Sequence, residues 1–310
     1  MEQVTSGGDY HSNCLVRLFG SEEIPVLEYN LDELAELAKR TVRQKVTVPG
    51  VQAKLSMEME RQSGEADKLT ITGLGGRYIL KPPSQTWPEL PENEHCTMRM
   101  AALVGLECVP HGLIRLASGE RAYITRRIDR GAQGEKYAME DMCQLSGRLT
   151  EDKYKGSHEQ VAWAIKNYSV NPMFDLTRYF EVVLFSYLTG NSDMHLKNFS
   201  LFKDPELGWK LAPAYDLLST WLVIPEEKDP EELALSLSGK KSNFNRSSFE
   251  LFGLQIGLNR KQISNSFEHF ISLREELNKS VDHSFLSEEV RRRYRELLDR
   301  RYGAFESQPV

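Results

Sequence analysis

An apolar run that ends in a dense polar cluster is the feature that most constrains this chain. The run "FEVVLFSYLTG" covers residues 180–190 and is typical of a buried helix, and "NSDMHLKN" follows at once. Asp193, His195, Lys197 and Asn198 therefore lie within six residues of one another. Because loops held by a rigid element are where binding and catalytic side chains concentrate, the pattern predicts a site here. A metal site, a phosphate site and a plain polar helix end all fit it.

Length and charge exclude several classes of protein. The 310 residues, 40% of them hydrophobic, suffice for a core in one large domain or two lobes. The formal net charge of −6 disfavours direct nucleic-acid binding, since proteins that hold phosphate backbones are usually basic. No apolar run approaches the roughly 20 residues of a membrane span, so no membrane contact is expected. The first residues lack a secretory signal pattern, which predicts a cytoplasmic protein and leaves signal-independent export open.

Zinc is one alternative for the metal. The four cysteines form no CxxC pair, so free thiols are predicted rather than disulfides. His95, Cys96, Cys108 and His111 could be written as four ligands. However, His95 and Cys96 are adjacent on a predicted helix, where neighbouring side chains diverge by about 100°. Structural zinc sites use spaced pairs, so this set is disfavoured.

The first part of the chain is rich in strand signals. Residues 12–28 are predicted to form two short strands, and Asn30 with Glu33 predicts a capping box at a helix start. The stretches "DKLTITGLGGRYILKPP" and "GLIRLASGERAYITRRI" predict β-hairpins that turn at "GLGG" and "ASGE". "GLGG" connects two predicted strands, so it is interpreted as a turn rather than a dinucleotide loop, which would open a helix. A helix is predicted over "NEHCTMRMAALVGL".

Helical patterns dominate after Asp129. Helices are predicted near residues 158–168, 174–189, 261–278 and 286–302. In the last of these, "EEVRRRYRELLDRR" predicts an amphipathic helix with solvated arginines, which is favoured over a surface for an acidic partner. We therefore predict two lobes, residues 1–128 and 129–310, with a ligand cleft between them.

The polar cluster matches a spacing used in phosphoryl transfer. Asp193 and Asn198 stand five residues apart, as Asp and Asn do in the HRDxxxxN loop of protein kinases. The chemistry needs one carboxylate to take the proton of the acceptor hydroxyl. It also needs one amide oxygen that ligates Mg²⁺ without adding charge. A single such pair occurs often by chance, so further groups are required.

Those further groups are present in the expected order. A second magnesium carboxylate should follow a short β segment, and "GWKLAPAYDLLST" supplies Asp216 there. A strand lysine should precede the loop, and "RYILKPP" supplies Lys81. Glu94, on the next predicted helix, is its natural partner. Together these residues indicate a kinase more specifically than any one of them alone.

At this point the motifs resemble those of a known family. "GNSDMHLKNFSLF" together with "LAPAYDLLST" resembles the signature of the HipA family of bacterial serine/threonine kinase toxins. The resemblance covers roughly residues 45–300, and the motifs follow one another in the same order as in the family. Five further stretches contribute to it: "TVPGVQAKLSM", "YILKPP", "PENEHCTMRMAALVGL", "ITRRIDR" and "MEDMCQLSGRLTEDKY". In the family these correspond to the nucleotide loop, the lysine strand, the following helix, the hinge and an activation-loop-like segment.

The resemblance implies an α+β, two-lobed protein-kinase-like fold with a β-rich N-lobe and a mainly helical C-lobe, binding ATP and Mg²⁺. Asp193 would be the catalytic base, and Asn198 and Asp216 the magnesium ligands. Lys81, supported by Glu94, would hold ATP phosphates. The implied ATP-binding positions of the nucleotide loop, hinge and catalytic region are Pro49, Gly50, Val51, Gln52, Ala53, Lys54, Lys81, Arg126, Arg127, Ile128, His195, Lys197, Asn198, Tyr215 and Asp216.

The chain departs from the family pattern at three positions. Thr47 stands where members autophosphorylate a serine that silences the enzyme, and it offers the same hydroxyl. Pro49 replaces a second serine of some short members, and Arg126 replaces an acidic hinge residue. Thr47 is thus the implied autophosphorylation site.

The resemblance also implies partners. Few residues precede the nucleotide loop, as in the shortened HipT kinases of three-gene HipBST systems, where a small HipS protein and a DNA-binding HipB protein accompany the kinase. The implied substrate is an aminoacyl-tRNA synthetase, whose phosphorylation stalls translation. Two alternatives remain at this point: an effector kinase acting on host proteins, and a pseudokinase subunit without catalysis.

Overall fold

The computed structural model describes residues 10–43, 53–61, 64, 66–73, 75–84, 86–131, 133–224 and 227–306. The chain forms two compact units, here called the N-terminal unit (Met1–His95 and Val109–Lys136) and the C-terminal unit (Cys96–Cys108 and Tyr137–Val310). The predicted lobes, 1–128 and 129–310, stay a prediction, because compactness alone does not show which segments fold independently.

The N-terminal unit is built on one antiparallel sheet. Its strands are β1 (Leu55–Glu60), β2 (Lys68–Ile71), β3 (Tyr78–Lys81), β4 (His111–Arg115) and β5 (Arg121–Arg126), in the order β2-β1-β3-β5-β4. Helices α1 (Ser12–Phe19) and α2 (Leu31–Arg43) precede the sheet, and α3 (Leu90–Leu103) supplies residues to both units. The core of this unit joins α1 and α2 to one face of the strands through Leu15, Leu18, Phe19, Leu34, Leu55, Met57, Leu80 and Ile124.

The strand prediction for residues 12–28 is wrong. Residues 12–19 form α1, whose buried side chains Leu15, Leu18 and Phe19 follow the i, i+3, i+4 spacing of a helix. The helix ends at Gly20, which takes a left-handed φ of 75° that favours glycine. The second stretch contributes only an isolated bridge at Val26. A short apolar run fits both periods, and here packing chose the helix.

The first predicted hairpin is also wrong, although both of its strands exist. β1 lies between β2 and β3, with Met57 paired to Ile71 on one side and to Tyr78 on the other. β2 and β3 are therefore not paired with each other, as a hairpin would require. A Cβ on Gly76 would lie 2.3 Å from the Met57 carbonyl oxygen, so this position admits only glycine. The second predicted hairpin, β4 with β5, is confirmed.

The C-terminal unit is mainly helical, with one small sheet. Its helices are α4 (Met142–Leu145), α5 (His158–Tyr168), α6 (Pro172–Leu188), α7 (Arg246–Gln255), α8 (Arg260–Ser272), α9 (Arg274–Asp282) and α10 (Glu288–Glu306). The antiparallel sheet has the order β6 (Met139–Asp141), β7 (Ser200–Asp204), β8 (Gly208–Leu211). The single helix predicted over 261–278 is two helices, because the chain leaves helical geometry at Leu273. No helix of the described residues is long and apolar enough to cross a membrane.

Helix α6 lies in the core of this unit. The predicted apolar run is confirmed as its second half, where Val183, Leu184, Phe185 and Leu188 have no measurable exposure. Three aromatic side chains of α6, Tyr179, Phe180 and Tyr187, pack against aromatic rings of α7, α8 and α10. These partner rings are Phe249, Phe252, Phe267 and Phe305. An interior this closely packed holds the end of α6, and hence the next residues, in one place.

Helix α10 is amphipathic, but its arginines are not all solvated. Arg292 lies on the exposed face between Glu289 and Glu296. Arg301, by contrast, is 6% exposed, forms an ion pair with Glu232 and stacks 4.4 Å above the Tyr187 ring. A buried cation needs such a partner, since burial removes its hydration.

We predict that Arg301→Met destabilises the protein by about 3 kcal/mol, because Glu232 keeps a largely buried charge without its cation. Urea unfolding followed by circular dichroism measures the change. Arg292→Met on the same helix is the matched control and should leave the midpoint nearly unchanged, since its ion pairs are exposed. Equal midpoints for the two variants would contradict the assignment.

His158 makes stability depend on pH. It begins α5 with no exposure, its Nδ1 lies 2.6 Å from the Tyr179 hydroxyl, and Phe199 and Phe252 flank its ring. Burial lowers its pKa from 6.5 to about 3. Between pH 6.5 and about 3, His158 binds a proton in the unfolded chain but stays neutral in the folded chain. The free energy of unfolding therefore falls as the pH falls below 6.5.

In the wild type, this histidine should make the free energy of unfolding fall by up to about 1.4 kcal/mol per pH unit between pH 6 and 4. We therefore expect His158→Gln to remove that contribution from the pH dependence. Urea unfolding at a series of pH values measures it. His283→Gln, at an exposed histidine, should keep the wild-type slope. A His158→Gln protein with an unchanged slope would show that this proton is not linked to folding.

Candidate active site

Part of the predicted nucleotide loop cannot be placed. Thr47, Pro49, Gly50, Val51 and Gln52 lie outside the described residues. The two remaining members of the loop, Ala53 and Lys54, immediately precede β1, the first half-buried and the second exposed.

Lys81 and Glu94 form a buried ion pair in the N-terminal unit. Lys81 ends β3, Glu94 lies in the first turns of α3, and Nζ is 2.5 Å from Oε1. Both side chains are at most 3% exposed, and the ammonium lies 5.3 Å from the centre of the Tyr123 ring. The strand lysine is thus held by the helix glutamate, as the sequence predicts. This is the arrangement by which kinases aim a lysine at phosphates.

The predicted hinge residues stand at the end of β5. The backbone N–H of Arg126 donates to the Pro110 carbonyl at 2.9 Å. The N–H of Arg127 donates to the Arg77 carbonyl at 2.8 Å, and its guanidinium donates twice to Asp129. Burial by itself would raise the pKa of Asp129, but the hydrogen bond and charge of Arg127, together with the charge of Arg130, outweigh it and lower that pKa. The guanidinium of Arg127 is therefore held by Asp129. The next residue, Ile128, is half-buried.

The residues predicted for the catalytic loop are brought together in the C-terminal unit. Asn198 closes a short 3₁₀ helix (Leu196–Asn198), and its Nδ2 donates to the Asp193 carbonyl oxygen at 2.9 Å. The N–H of His195 donates to the same oxygen at 2.8 Å. Asn191, fully buried, accepts the Asp193 N–H through Oδ1 at 3.2 Å. The loop from Asp193 to Asn198 is thus a single hydrogen-bonded turn that presents both predicted residues.

This turn suits an oxygen-liganded cation. The bond from Nδ2 fixes which end of the Asn198 amide is nitrogen, and so leaves the oxygen as the group for a cation. Amide and carboxylate oxygens are the ligands that Mg²⁺ uses, with phosphates and waters completing the shell. Among the residues that the structure describes, no cluster of three or more His, Cys, Asp or Glu could hold a metal ion. The amide oxygen of Asn198 is of the donor type that Mg²⁺ accepts, so this residue fits such a cation.

Asp216 has an unusual backbone conformation, and the preceding residue, Tyr215, is hydrogen-bonded to the turn from Asp193 to Asn198. Asp216 is half-buried with a positive φ of 57°, which is rare outside glycine and frequent at functional sites. The Tyr215 hydroxyl donates to the Lys197 carbonyl at 3.1 Å and accepts from Ser200 Oγ at 2.5 Å. Burial raises the pKa of Tyr215, so the hydroxyl stays protonated. The residue before Asp216 is thus bonded to the turn that carries Asn198.

His195 and Lys197 contact residues 139–154, the segment that resembles the activation-loop-like segment of the family. Lys197 Nζ lies 3.4 Å from Oδ2 of Asp141, which also caps α4. The His195 ring is buried and packs edge-on against Tyr154, with ring centres 5.0 Å apart. The Tyr154 hydroxyl donates to Asp193 Oδ1. Burial and the Asp193 charge raise the pKa of Tyr154 above its usual value.

Thr220 is a second connection that the sequence reasoning missed. Its Oγ1 donates to the Gly190 carbonyl at 2.9 Å and accepts the Ser192 N–H at 2.8 Å. The hydroxyl of Ser192 donates to Asp229 at 2.6 Å. Thr220 therefore joins the segment after Asp216 to the segment before Asp193. No local pattern marks it or Tyr154, whereas the cap at Asp141 is readable from its "DMCQ" spacing.

Comparisons with known proteins identify the family of this chain. The model of the HipA-like C-terminal domain matches residues 46–280. A Haemophilus influenzae protein with the name "Putative kinase" is 29% identical over 266 residues, which is 77% of this chain and 75% of that protein. The serine/threonine-protein kinase toxin HipA of Shewanella oneidensis is 25% identical over 232 residues, 69% of this chain. The chain spans only 52% of the length of that toxin.

Two solved structures show the fold. Shewanella oneidensis HipA, solved in a complex with HipB and operator DNA, superposes with a TM-score of 0.66 at 22% identity, covering 83% of this chain and 64% of that one. The Helicobacter pylori proinflammatory kinase CtkA gives 0.57 at 14% identity, covering 91% and 93%. The predicted α+β, kinase-like fold with a β-rich N-terminal part and a mainly helical C-terminal part is confirmed. Since the family model matches well over half of its residues, the chain belongs to the HipA-like C-terminal domain family.

Proposed function

We propose that this chain is an ATP-dependent serine/threonine protein kinase. One observation carries the proposal: Asn198 is bonded to the main chain of Asp193, while Tyr215, next to Asp216, is bonded to the main chain of Lys197. Proposed base and proposed magnesium ligands thus share one hydrogen-bonded framework. In a kinase, positioning and charge neutralisation supply most of the catalysis, so such a framework is what the reaction needs.

Each proposed residue has a defined task. Asp193 receives the proton of the acceptor hydroxyl as the phosphoryl group is transferred. Asn198 and Asp216 supply oxygen ligands to Mg²⁺, which neutralises phosphate charge when bound. Lys81 holds the phosphates and is kept in place by Glu94. The other ATP-binding positions and the autophosphorylation of Thr47 are part of the same proposal, supported by their motif positions alone.

The proposed substrate is an aminoacyl-tRNA synthetase, and the proposed role is that of a toxin with a HipB-like DNA-binding partner and a HipS-like small partner. Family membership and the Shewanella relative, a named toxin, support the role and the HipB-like partner. HipT-like identity and the HipS-like partner rest on the sequence resemblance. Neighbouring reading frames that encode neither partner would count against them.

The central experiment incubates the protein with Mg²⁺-ATP, first with an arrayed library of serine and threonine peptides and then with cell extract, followed by phosphosite mass spectrometry. We expect transfer to peptides, a phosphorylated synthetase in the extract and phosphate on Thr47. Asp193→Asn and Asp216→Asn should each lower transfer at least about 100-fold. Asp204→Asn, at the half-buried last residue of β7, where the carboxylate pairs with Lys210, is the control and should stay active.

The outcomes separate the competing functions. Phosphorylated peptides without a synthetase target would favour the effector kinase. No transfer by the wild-type protein would favour a non-catalytic subunit and overturn the proposal. Full activity of Asp193→Asn would remove Asp193 from the role of base.

Thr220→Val tests whether the bridge between the two segments matters for transfer. Valine keeps the shape but removes one of the two donors to the Gly190 carbonyl, which keeps the Trp221 N–H, and leaves the Ser192 N–H without its acceptor. We expect transfer to fall about tenfold, with a greater loss at low Mg²⁺, because each lost buried hydrogen bond costs about 1–3 kcal/mol. Rates on the selected peptide at several Mg²⁺ concentrations measure this.

Two matched variants complete that test. Thr220→Ser keeps the hydroxyl and should retain most activity. Thr177→Val in α6, where the hydroxyl donates to its own helix at Met173, should behave as wild type. A Thr220→Val protein with wild-type rates at all Mg²⁺ concentrations would exclude a role in positioning.

A further inference from the structure

Tyr154 is the only described residue whose side chain donates to the Asp193 carboxylate. Its hydroxyl reaches Oδ1 from 39 positions earlier in the chain. The tyrosine follows a 3₁₀ helix (Thr150–Asp152) in the segment that the sequence identifies as activation-loop-like. A carboxylate offers two oxygens, so this contact leaves Oδ2 for another donor.

Independent contacts hold Tyr154 in place. The carbonyl of the preceding Lys153 accepts the backbone N–H of Leu196, inside the catalytic loop, at 3.1 Å. The aromatic ring packs edge-on against His195 at 5.0 Å. At Gly156 a Cβ would approach the Leu196 side chain to 3.1 Å, so this segment lies directly against the loop. The tyrosine is therefore part of the framework of the site, although the residue as a whole is 41% exposed.

The chemistry of the contact is that of an orienting donor. A phenol that stays protonated can only donate its proton to an ionised carboxylate. That bond selects one rotamer of Asp193 and occupies one of its oxygens. A general base must lie within hydrogen-bond distance of the acceptor hydroxyl. A fixed carboxylate therefore raises the fraction of bound acceptors whose hydroxyl lies within that distance.

We propose that Tyr154 is a positioning residue for the general base: its hydroxyl fixes the Asp193 carboxylate so that Oδ2 receives the proton of the acceptor. The proposal rests on the proposed function, in which Asp193 is the base. It deepens that function by naming a residue that acts through Asp193 and touches neither phosphate nor metal ligand.

The test compares Tyr154→Phe with wild type in steady-state transfer from Mg²⁺-ATP to the peptide selected from the array. We expect kcat to fall about tenfold or more, the value of one hydrogen bond to a charged group, with KM for ATP unchanged. Tyr168→Phe is the matched control: this tyrosine is 45% exposed and should keep wild-type kinetics. Thermal unfolding midpoints verify that both variants fold.

A double-mutant cycle provides the readout that a merely structural role would not give. If Tyr154 acts through the carboxylate, then Tyr154→Phe should have little further effect on the residual rate of Asp193→Asn. Additive losses in the double variant would overturn the proposal. So would unchanged kcat in Tyr154→Phe while wild type is active, an outcome that leaves the proposed kinase intact.

Two other results would also overturn it. A rise in kcat in Tyr154→Phe would show that the tyrosine hydroxyl competes with the acceptor hydroxyl for the Asp193 carboxylate. Phosphotyrosine at position 154 in wild type would make it an acceptor. Absence of any transfer by wild type would instead remove the proposed function, and the base with it.

Discussion

The exit of α6 at Gly190 is the constraint on which the candidate site depends. Gly190 has a φ of 63°, and a Cβ there would lie 2.8 Å from Leu297 and 3.0 Å from Trp221. The carbonyl of Gly190 accepts both the Thr220 hydroxyl and the Trp221 N–H. Only glycine satisfies the dihedral and the space together. A single backbone group thus anchors the segment before Asp193 and the segment after Asp216 to the same core helix.

Buried charge is handled by pairing in both units. Lys81 is neutralised by Glu94 in the N-terminal unit, and Arg301 by Glu232 in the C-terminal unit. Desolvating one unpaired ion costs several kcal/mol, so each pair strongly restricts where its members can lie. For Lys81 the consequence is functional under the proposed mechanism, because the ammonium is placed before a nucleotide arrives. For Arg301 it is structural and fastens α10 to the loop that carries Glu232.

Local patterns predicted local structure well. The capping box of Asn30 and Glu33 is present in both directions, each at 2.9 Å. The hairpin of β4 and β5 and the apolar face of α10 also formed as their residues indicated. The predictions were wrong where one sequence pattern is compatible with two different structures. Residues 12–19 fit a strand or a helix, and β2 and β3 looked like neighbours because the pairing of β1 between them is not visible in either segment.

The sequence by itself determined the family, the fold class and the order of the proposed catalytic residues, since motifs and caps are made by residues close together in the chain. Tertiary structure alone decided that Tyr154 meets Asp193, that Thr220 joins two segments and that Arg301 is buried against Glu232, 69 positions away. A hydrogen bond between distant residues leaves no periodic trace in the sequence. It exists only once packing around α6 has brought its donor and acceptor together.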